Sequence, residues 1–227
     1  MKAIVRDMVR LLDKKYKGGD WDKGRKRPDP MDSLVRTILS QNTTDENRDR
    51  GYDEMQKRFP TWESVMDAKP EALKDAIRIA GLANQKGPSI QNFLKWLMKE
   101  KEELDISFLG DLPVDSAIEL LTSHKGIGVK TAYIVLAFAF DSDLCAVDTH
   151  VHRAMKRVGV ISERCGREKA HNVIAPLIPK GKARVFHMNL VDFGKDICTA
   201  RSPNCEACPL SHLCTFFKEQ STEVKAG

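Results

Sequence analysis

The chain has 227 residues, 41% of them apolar and 30% charged, with 37 Lys and Arg against 32 Asp and Glu. Such a composition excludes wholesale disorder, and the length allows one large domain or two small ones. The surplus of five positive charges permits a polyanionic partner without demanding one. The N-terminus, MKAIVRDMVRLLDKK, lacks the uninterrupted apolar stretch and small-residue cleavage site of a secretory signal. The longest apolar run, Ala132–Phe140, has nine residues, about half of what a membrane-spanning helix needs. These features predict a soluble, intracellular protein with no membrane partner.

Helical periodicity dominates. A first helix is predicted from the stripe Ile4, Val5, Met8, Val9, Leu11 and Leu12, followed by the polar, Gly/Pro-rich loop GGDWDKGRKRPDP. Leu34, Val35, Ile38 and Leu39 recur at helical spacing, with Asp32 or Ser33 as candidate caps. Pro60 and Pro70 each precede a short amphipathic stretch, 62–68 and 71–79, and Pro70 suits a first helical turn. Further stripes run through Ile90–Met98 and Ile118–Leu121, the latter opened by Pro113. The run 132–140 is apolar all round, as a helix buried inside a bundle would be. Helices at 151–158, 169–178 and 184–191 complete the series, and no period-2 strand is visible. The predicted fold class is all-α, with around ten short helices. No repeat or low-complexity linker marks a domain boundary; the turn Phe140–Leu144 and the loop before Met31 are candidate crossovers.

Three motifs carry chemistry. In Lys125-Gly-Ile-Gly-Val-Lys-Thr-Ala132 two glycines, two apart, allow a tight turn whose backbone amides approach an anion. A helix starting near Val129 would aim its positive end the same way. The spacing is not that of the nucleotide P-loop, and an ordinary glycine-capped turn accounts for it equally well. Lys130, in that first turn, would have its pKa lowered by the helix dipole and Lys125, leaving more neutral amine available as a nucleophile, although taken alone a surface lysine that contacts phosphate or only water is the commoner case. In Ala146-Val-Asp-Thr-His-Val-His152, Asp148 is either the cap of the next helix or a carboxylate that stabilises positive charge and accepts a proton. His150 and His152, two apart, face different sides of a helix and make a poor metal pair.

The third motif is Cys198-x6-Cys205-x2-Cys208-x5-Cys214, four of the chain's six cysteines within a short C-terminal segment. In a reducing compartment such a cluster points to metal rather than disulfides. The single Cys-x2-Cys knuckle and longer outer spacings favour an iron–sulfur cluster over structural zinc without deciding between them. Cys145 and Cys165 fall outside the pattern and read as buried thiols.

Together, the order and spacing of Gly126-Ile-Gly-Val-Lys-Thr-Ala132, Val147-Asp-Thr-His150 and the four cysteines resemble the endonuclease III branch of the helix–hairpin–helix DNA glycosylases, over about Asp29–Cys214. The resemblance implies a six-helix barrel domain at 30–142 containing the hairpin (about 113–139). A second domain, of 1–29 and 143–227, would hold a 4Fe–4S cluster on Cys198, Cys205, Cys208 and Cys214, with a DNA-binding cleft between the two. The implied partner is double-stranded DNA containing damaged bases or abasic sites, bound by a monomer in the cytoplasm or nucleoid, or in the nucleus of a eukaryote. Gly126 and Gly128 would grip a phosphate, and the damaged nucleotide would be flipped out of the stack. Lys130 matches the family's nucleophile and Asp148 its charge-stabilising carboxylate. That pairing implies a bifunctional glycosylase and abasic-site lyase, acting foremost on oxidised pyrimidines. Leu82 resembles the wedge that enters the stack, and Gln41 or Asn42 the residue that fills the vacated space. Here the sequence departs from the family, which usually carries glutamine where Asn42 aligns. Arg201 matches a basic position of the cysteine loop, whereas Ser202 and Asn204 stand where positive residues are common.

Two competing readings remain at this level. One is a monofunctional glycosylase for uracil or thymine mismatched with guanine, or for alkylated purines, against which Lys130 argues. The other is a non-enzymatic DNA-binding or redox-sensing protein, which would be expected to lack Lys130 or Asp148.

Overall fold

The computed structural model describes residues 1–16, 24 and 26–226, with side chains as far as residue 220. Most of the loop predicted before Met31 lies outside the described residues. The described chain is all-helical, as expected, with twelve α-helices and no strand. It divides into two compact units, one of Met1–Lys26 with Ser142–Gly227 and the other of Arg27–Asp141. No helix among the described residues is long and apolar enough to cross a membrane.

The unit 27–141 carries seven helices: α2 (Pro30–Leu39), α3 (Asp45–Arg58), α4 (Trp62–Asp67), α5 (Pro70–Ala76), α6 (Ala83–Lys101), α7 (Val114–Thr122) and α8 (Val129–Ala139). Helix α2 starts earlier than the candidate caps suggested. Pro30 occupies its first turn, and Asp29, not Asp32 or Ser33, is the cap, accepting the Asp32 N–H at 3.0 Å. Proline has no N–H to satisfy there, so Asp-Pro makes a good start.

Helix α3 went unseen in the apolar pattern because it has almost none: only Gly51, Tyr52 and Met55 are buried. Its signals are terminal. Thr44 Oγ1 accepts from Asn47 N–H, Asp45 and Glu46 stand in the first turn, and Lys57 and Arg58 in the last, each complementing the helix dipole. Arg36 stacks 3.6 Å from the Tyr52 ring and donates to Asp49, tying α3 to α2.

Helices α4 and α5 take up the two short amphipathic stretches, with Pro70 starting the second helix rather than continuing the first. The long helix α6 lies along the core, burying Ile90, Phe93, Leu94 and Leu97. Each such side chain contributes about 1.5–3 kcal/mol on removal from water. It also buries Gln91, whose Nε2 donates to Ala68 and Val65 carbonyls and so satisfies the C-terminal end of α4. Helix α8 is buried along Ala132, Val135, Leu136 and Ala139, within its apolar run from Ala132 onward.

The other unit packs α1 (Lys2–Tyr16), α9 (Thr149–Val158), α10 (Arg167–Ile174), α11 (Ala183–Asp196) and α12 (Thr215–Ala226). Its core joins Val5, Met8 and Leu12 to Val151, Met155, Phe186, Leu190 and Phe193. Cys145, Cys165, Cys198, Leu210 and Cys214 belong to the same core, so the cysteine loop is folded onto it rather than hung from it.

Candidate nucleic-acid and iron–sulfur sites

In the unit 27–141, α7 and α8 form a helical hairpin through Ser123–Gly128. Its two glycines differ in cause. Gly126 has φ +93°, and a Cβ built on it would lie 2.7 Å from Ser89 Cβ on α6 and closer still to Ser89 Oγ. No other residue fits that conformation in that space. Ile127 between them is buried and anchors the turn. Gly128 has an unstrained backbone (φ −89°, ψ 171°), and a Cβ there would meet nothing within 4 Å. Among the described residues nothing requires glycine at 128; what its missing side chain does is leave the approach to the first amides of α8 open. No side chain caps those amides and no acidic residue occupies that first turn. An uncapped helix start with open access suits a phosphate. Lys130 stands half-buried in the same turn.

The two candidates for filling the vacated stack separate. Gln41 is fastened to the hairpin, its Nε2 donating to the Gly126 carbonyl at 3.0 Å and lying 3.4 Å from Thr131 Oγ1. Asn42 is exposed, with φ 52°. That left-handed backbone is one asparagine tolerates better than most side chains. Leu82 is also left-handed, at φ 50° and ψ 31°, directly after Gly81 at φ 72°. For an aliphatic residue this conformation costs about 1–2 kcal/mol. Leu82 is nonetheless 42% exposed, so no burial inside the unit offsets the strain. An exposed, strained leucine is a feature that folding alone does not explain.

In the other unit, Asp148 is the cap of α9, its Oδ1 accepting the Val151 N–H at 2.8 Å. The structural reading of Asp148 therefore holds, and it leaves Oδ2 for other work. The buried segment Cys145–Val147 leading to it is held by two histidines that the sequence pattern did not single out. Val147 N–H donates to His171 Nε2 at 2.9 Å, and His187 Nδ1 lies 2.8 Å from the Ala146 carbonyl. His171 therefore carries its proton on Nδ1, toward the Arg167 carbonyl, and His187 carries one on its own Nδ1. Burial pushes His171 below the ordinary imidazole range, which keeps it the neutral acceptor this contact needs. His152 Nε2 lies 2.7 Å from the Cys165 carbonyl, and Arg153 lies 3.2 Å from His150 Nδ1, so both histidines are engaged in packing.

The four cysteines of the C-terminal loop line one cavity of about 310 Å3 including its mouth, walled by Val158, Phe193, Ile197, Leu210 and Phe216. Burial pushes the Cys208 thiol up to about 11 and raises Cys205 and Cys214, so an electropositive guest must hold them as thiolates. Donors already face the sulfurs: Leu210 N–H points at Cys208 Sγ and Arg157 at Cys198 Sγ, each at 3.4 Å. Arg157 also binds the Thr199 and Ala200 carbonyls, and Arg153 the Cys198 carbonyl, pinning the start of the loop. Among the described residues no group of three or more His, Cys, Asp or Glu side chains is placed to hold a single metal ion. Four soft donors around one apolar cavity fit a polynuclear iron–sulfur cluster, whose metal atoms are spread through the space. Arg201, Ser202 and Asn204 are exposed on this loop.

Comparison with known proteins agrees with this geometry. Residues 35–180 match the HhH-GPD superfamily of base excision DNA repair proteins, and residues 198–214 match the iron–sulfur binding domain of endonuclease III. The cofactor of the chain is accordingly a 4Fe–4S cluster. Endonuclease III of Thermotoga maritima is 32% identical over 96% of this chain and 95% of its own length. A non-covalent endonuclease III–DNA complex superposes with a TM-score of 0.81 at 27% identity, covering 98% of this chain and 99% of that one. A trapped endonuclease III–DNA covalent intermediate, an estranged-adenine complex, gives the same score and identity over 97% and 99%. The chain thus belongs to the HhH-GPD superfamily of base excision DNA repair proteins and, within it, to the endonuclease III family of DNA glycosylases.

Proposed function

We propose that the protein, acting as a monomer, removes damaged bases, foremost oxidised pyrimidines, from double-stranded DNA and then nicks the abasic site. The observation that carries this is Lys130 in the first turn of α8, two residues beyond a glycine that leaves the helix amides open to a phosphate. In this reading the amides around Gly126 and Gly128 grip the backbone, Leu82 enters the stack, and Asn42 occupies the space left by the flipped nucleotide. Gln41 braces the hairpin from behind through the Gly126 carbonyl. Arg201 adds a phosphate contact from the cysteine loop, weaker overall where Ser202 and Asn204 carry no charge.

Lys130 Nζ, as the neutral amine, forms a bond to C1′ as the C1′–base bond breaks, and the departing base anion takes a proton from water. Asp148 Oδ2 stabilises the positive charge that develops on the sugar and takes up the proton released by the lysine. The sugar ring opens to a protonated imine between Lys130 and C1′. Loss of a C2′ proton then expels the 3′ phosphate oxygen, which nicks the strand, and water releases the lysine. The cap bond on Oδ1 fixes the Asp148 carboxylate, so little reorganisation is needed when charge appears. Cys198, Cys205, Cys208 and Cys214 would hold the 4Fe–4S cluster, which supplies structural rigidity to the loop rather than a step in catalysis.

Borohydride trapping on a panel of lesion duplexes tests the reading. A covalent adduct should form with the native chain and vanish with Lys130→Gln; trapping that survives the substitution would sink the assignment. Asp148→Asn should bind lesion DNA while losing excision by on the order of a hundredfold. Base release without any trapped adduct on uracil or thymine mismatches would favour the monofunctional reading instead.

A further inference from the structure

Lys86, on the second turn of α6, is 1% exposed, a rarity for lysine. Its Nζ donates to two main-chain carbonyls, Leu39 O at 2.8 Å and Ala80 O at 2.7 Å, and it pairs with no carboxylate among the described residues. Leu39 is the last residue of α2, and Ala80 the last of the short 3-10 turn Arg78–Ala80. A cation at the carbonyl end of a helix is favourably placed, and here one ammonium serves two such ends at once. The residues that follow are telling. Three positions after Leu39 comes left-handed Asn42, and two after Ala80 comes left-handed Leu82.

We propose that Lys86 is a positioning residue for base extrusion, its buried ammonium fastening the chain before Asn42 to the chain before Leu82 so that the two side chains are presented as one rigid tool. This rests on the reading that both enter the DNA stack. Covalent connection alone cannot register them, since the two loops lie some forty residues apart in sequence. Both carry left-handed backbones that relax unless their surroundings hold them. A carboxylate partner would leave a net-neutral pair between the loops but would tie down neither backbone. Paired carbonyls tie down both. A preorganised tool loses no ordering entropy as it enters the duplex.

The test compares Lys86→Met and Lys86→Gln with the native chain on two substrates under single-turnover conditions. In one the lesion is fully paired; in the other it sits in an unpaired bubble, where no stack has to be refilled. Lys86→Met should slow excision from the paired substrate by on the order of 10- to 100-fold, the usual effect of misplacement near 1 Å, and leave the bubble rate within about twofold. Fluorescence of 2-aminopurine beside the lesion should report slower extrusion by the same factor. Lys86→Gln, which keeps an N–H donor, should recover part of the loss. It also carries the comparison if the methionine variant does not fold. Equal losses on both substrates, or an unchanged paired rate, would overturn the proposal. Leu82→Ala separates the two layers. If it leaves paired excision untouched, the wedge reading falls and the clamp with it. If it slows paired excision while Lys86→Met does not, only the clamp falls.

Discussion

The contrast between Gly126 and Gly128 yields the sharpest prediction, because one methyl group added at each should fail for opposite reasons. At Gly126 an alanine must adopt φ +93°, which costs about 1–2 kcal/mol for a side chain bearing Cβ. The new Cβ also overlaps Ser89, whose Oγ donates to the Gln85 carbonyl at 2.8 Å; displacing Ser89 breaks that bond, worth about 1 kcal/mol. Gly126→Ala should therefore destabilise by about 3 kcal/mol, or roughly 6–12 °C in Tm for a chain of this size. Gly128→Ala should cost under about 1 kcal/mol, because the backbone is already extended and the space is empty. Yet, on the proposed function, Gly128→Ala should weaken duplex binding by about tenfold or more, since its methyl would stand where the phosphate is to reach the amides. Urea unfolding and fluorescence anisotropy against an undamaged duplex measure the two quantities separately. If Gly128→Ala destabilises as much as Gly126→Ala, or binds DNA as the native chain does, this division of roles is wrong.

Other outcomes follow from single residues. Leu82→Gly should stabilise the fold by up to about 1 kcal/mol by relieving the left-handed strain, while impairing excision from paired DNA; calorimetry beside a single-turnover assay would register both. Burial pushes Lys86 down to about 8 from lysine's ordinary 10.5, so between those values the unfolded chain keeps a proton that the folded chain has lost. Stability should accordingly rise with pH across that window, by about 3 kcal/mol relative to Lys86→Met; a flat difference between the two chains would contradict it. Replacing Cys208 by serine should abolish the absorbance near 400 nm of an iron–sulfur preparation and leave 198–214 open to proteolysis.

Much of the site was legible because its chemistry is local. A glycine turn, a helix start and four cysteines with fixed spacing are properties of neighbours along the chain, and each folds where its residue types demand. Asp148 was readable as a cap for the same reason. The apolar stripes likewise announced α1, α2 and α8, whose buried faces are written in the order of residues. Helix α3 escaped because charges and caps, rather than a stripe, hold it: Arg48 bridges Asp45 and Asp49, and Arg36 reaches Asp49 from α2.

The sequence by itself therefore determined the all-α class, the hairpin with its lysine, the cap carboxylate and the cluster ligand spacing. Only the tertiary structure fastened Gln41 to the Gly126 carbonyl and left Asn42 exposed beside it. It alone brought Lys86 to Leu39, His171 to Val147 and His187 to Ala146, pairs separated by 47, 24 and 41 positions. No periodicity encodes such contacts. They exist because burial forces each polar group to find a partner wherever the fold supplies one, and a mildly basic composition cannot foretell where.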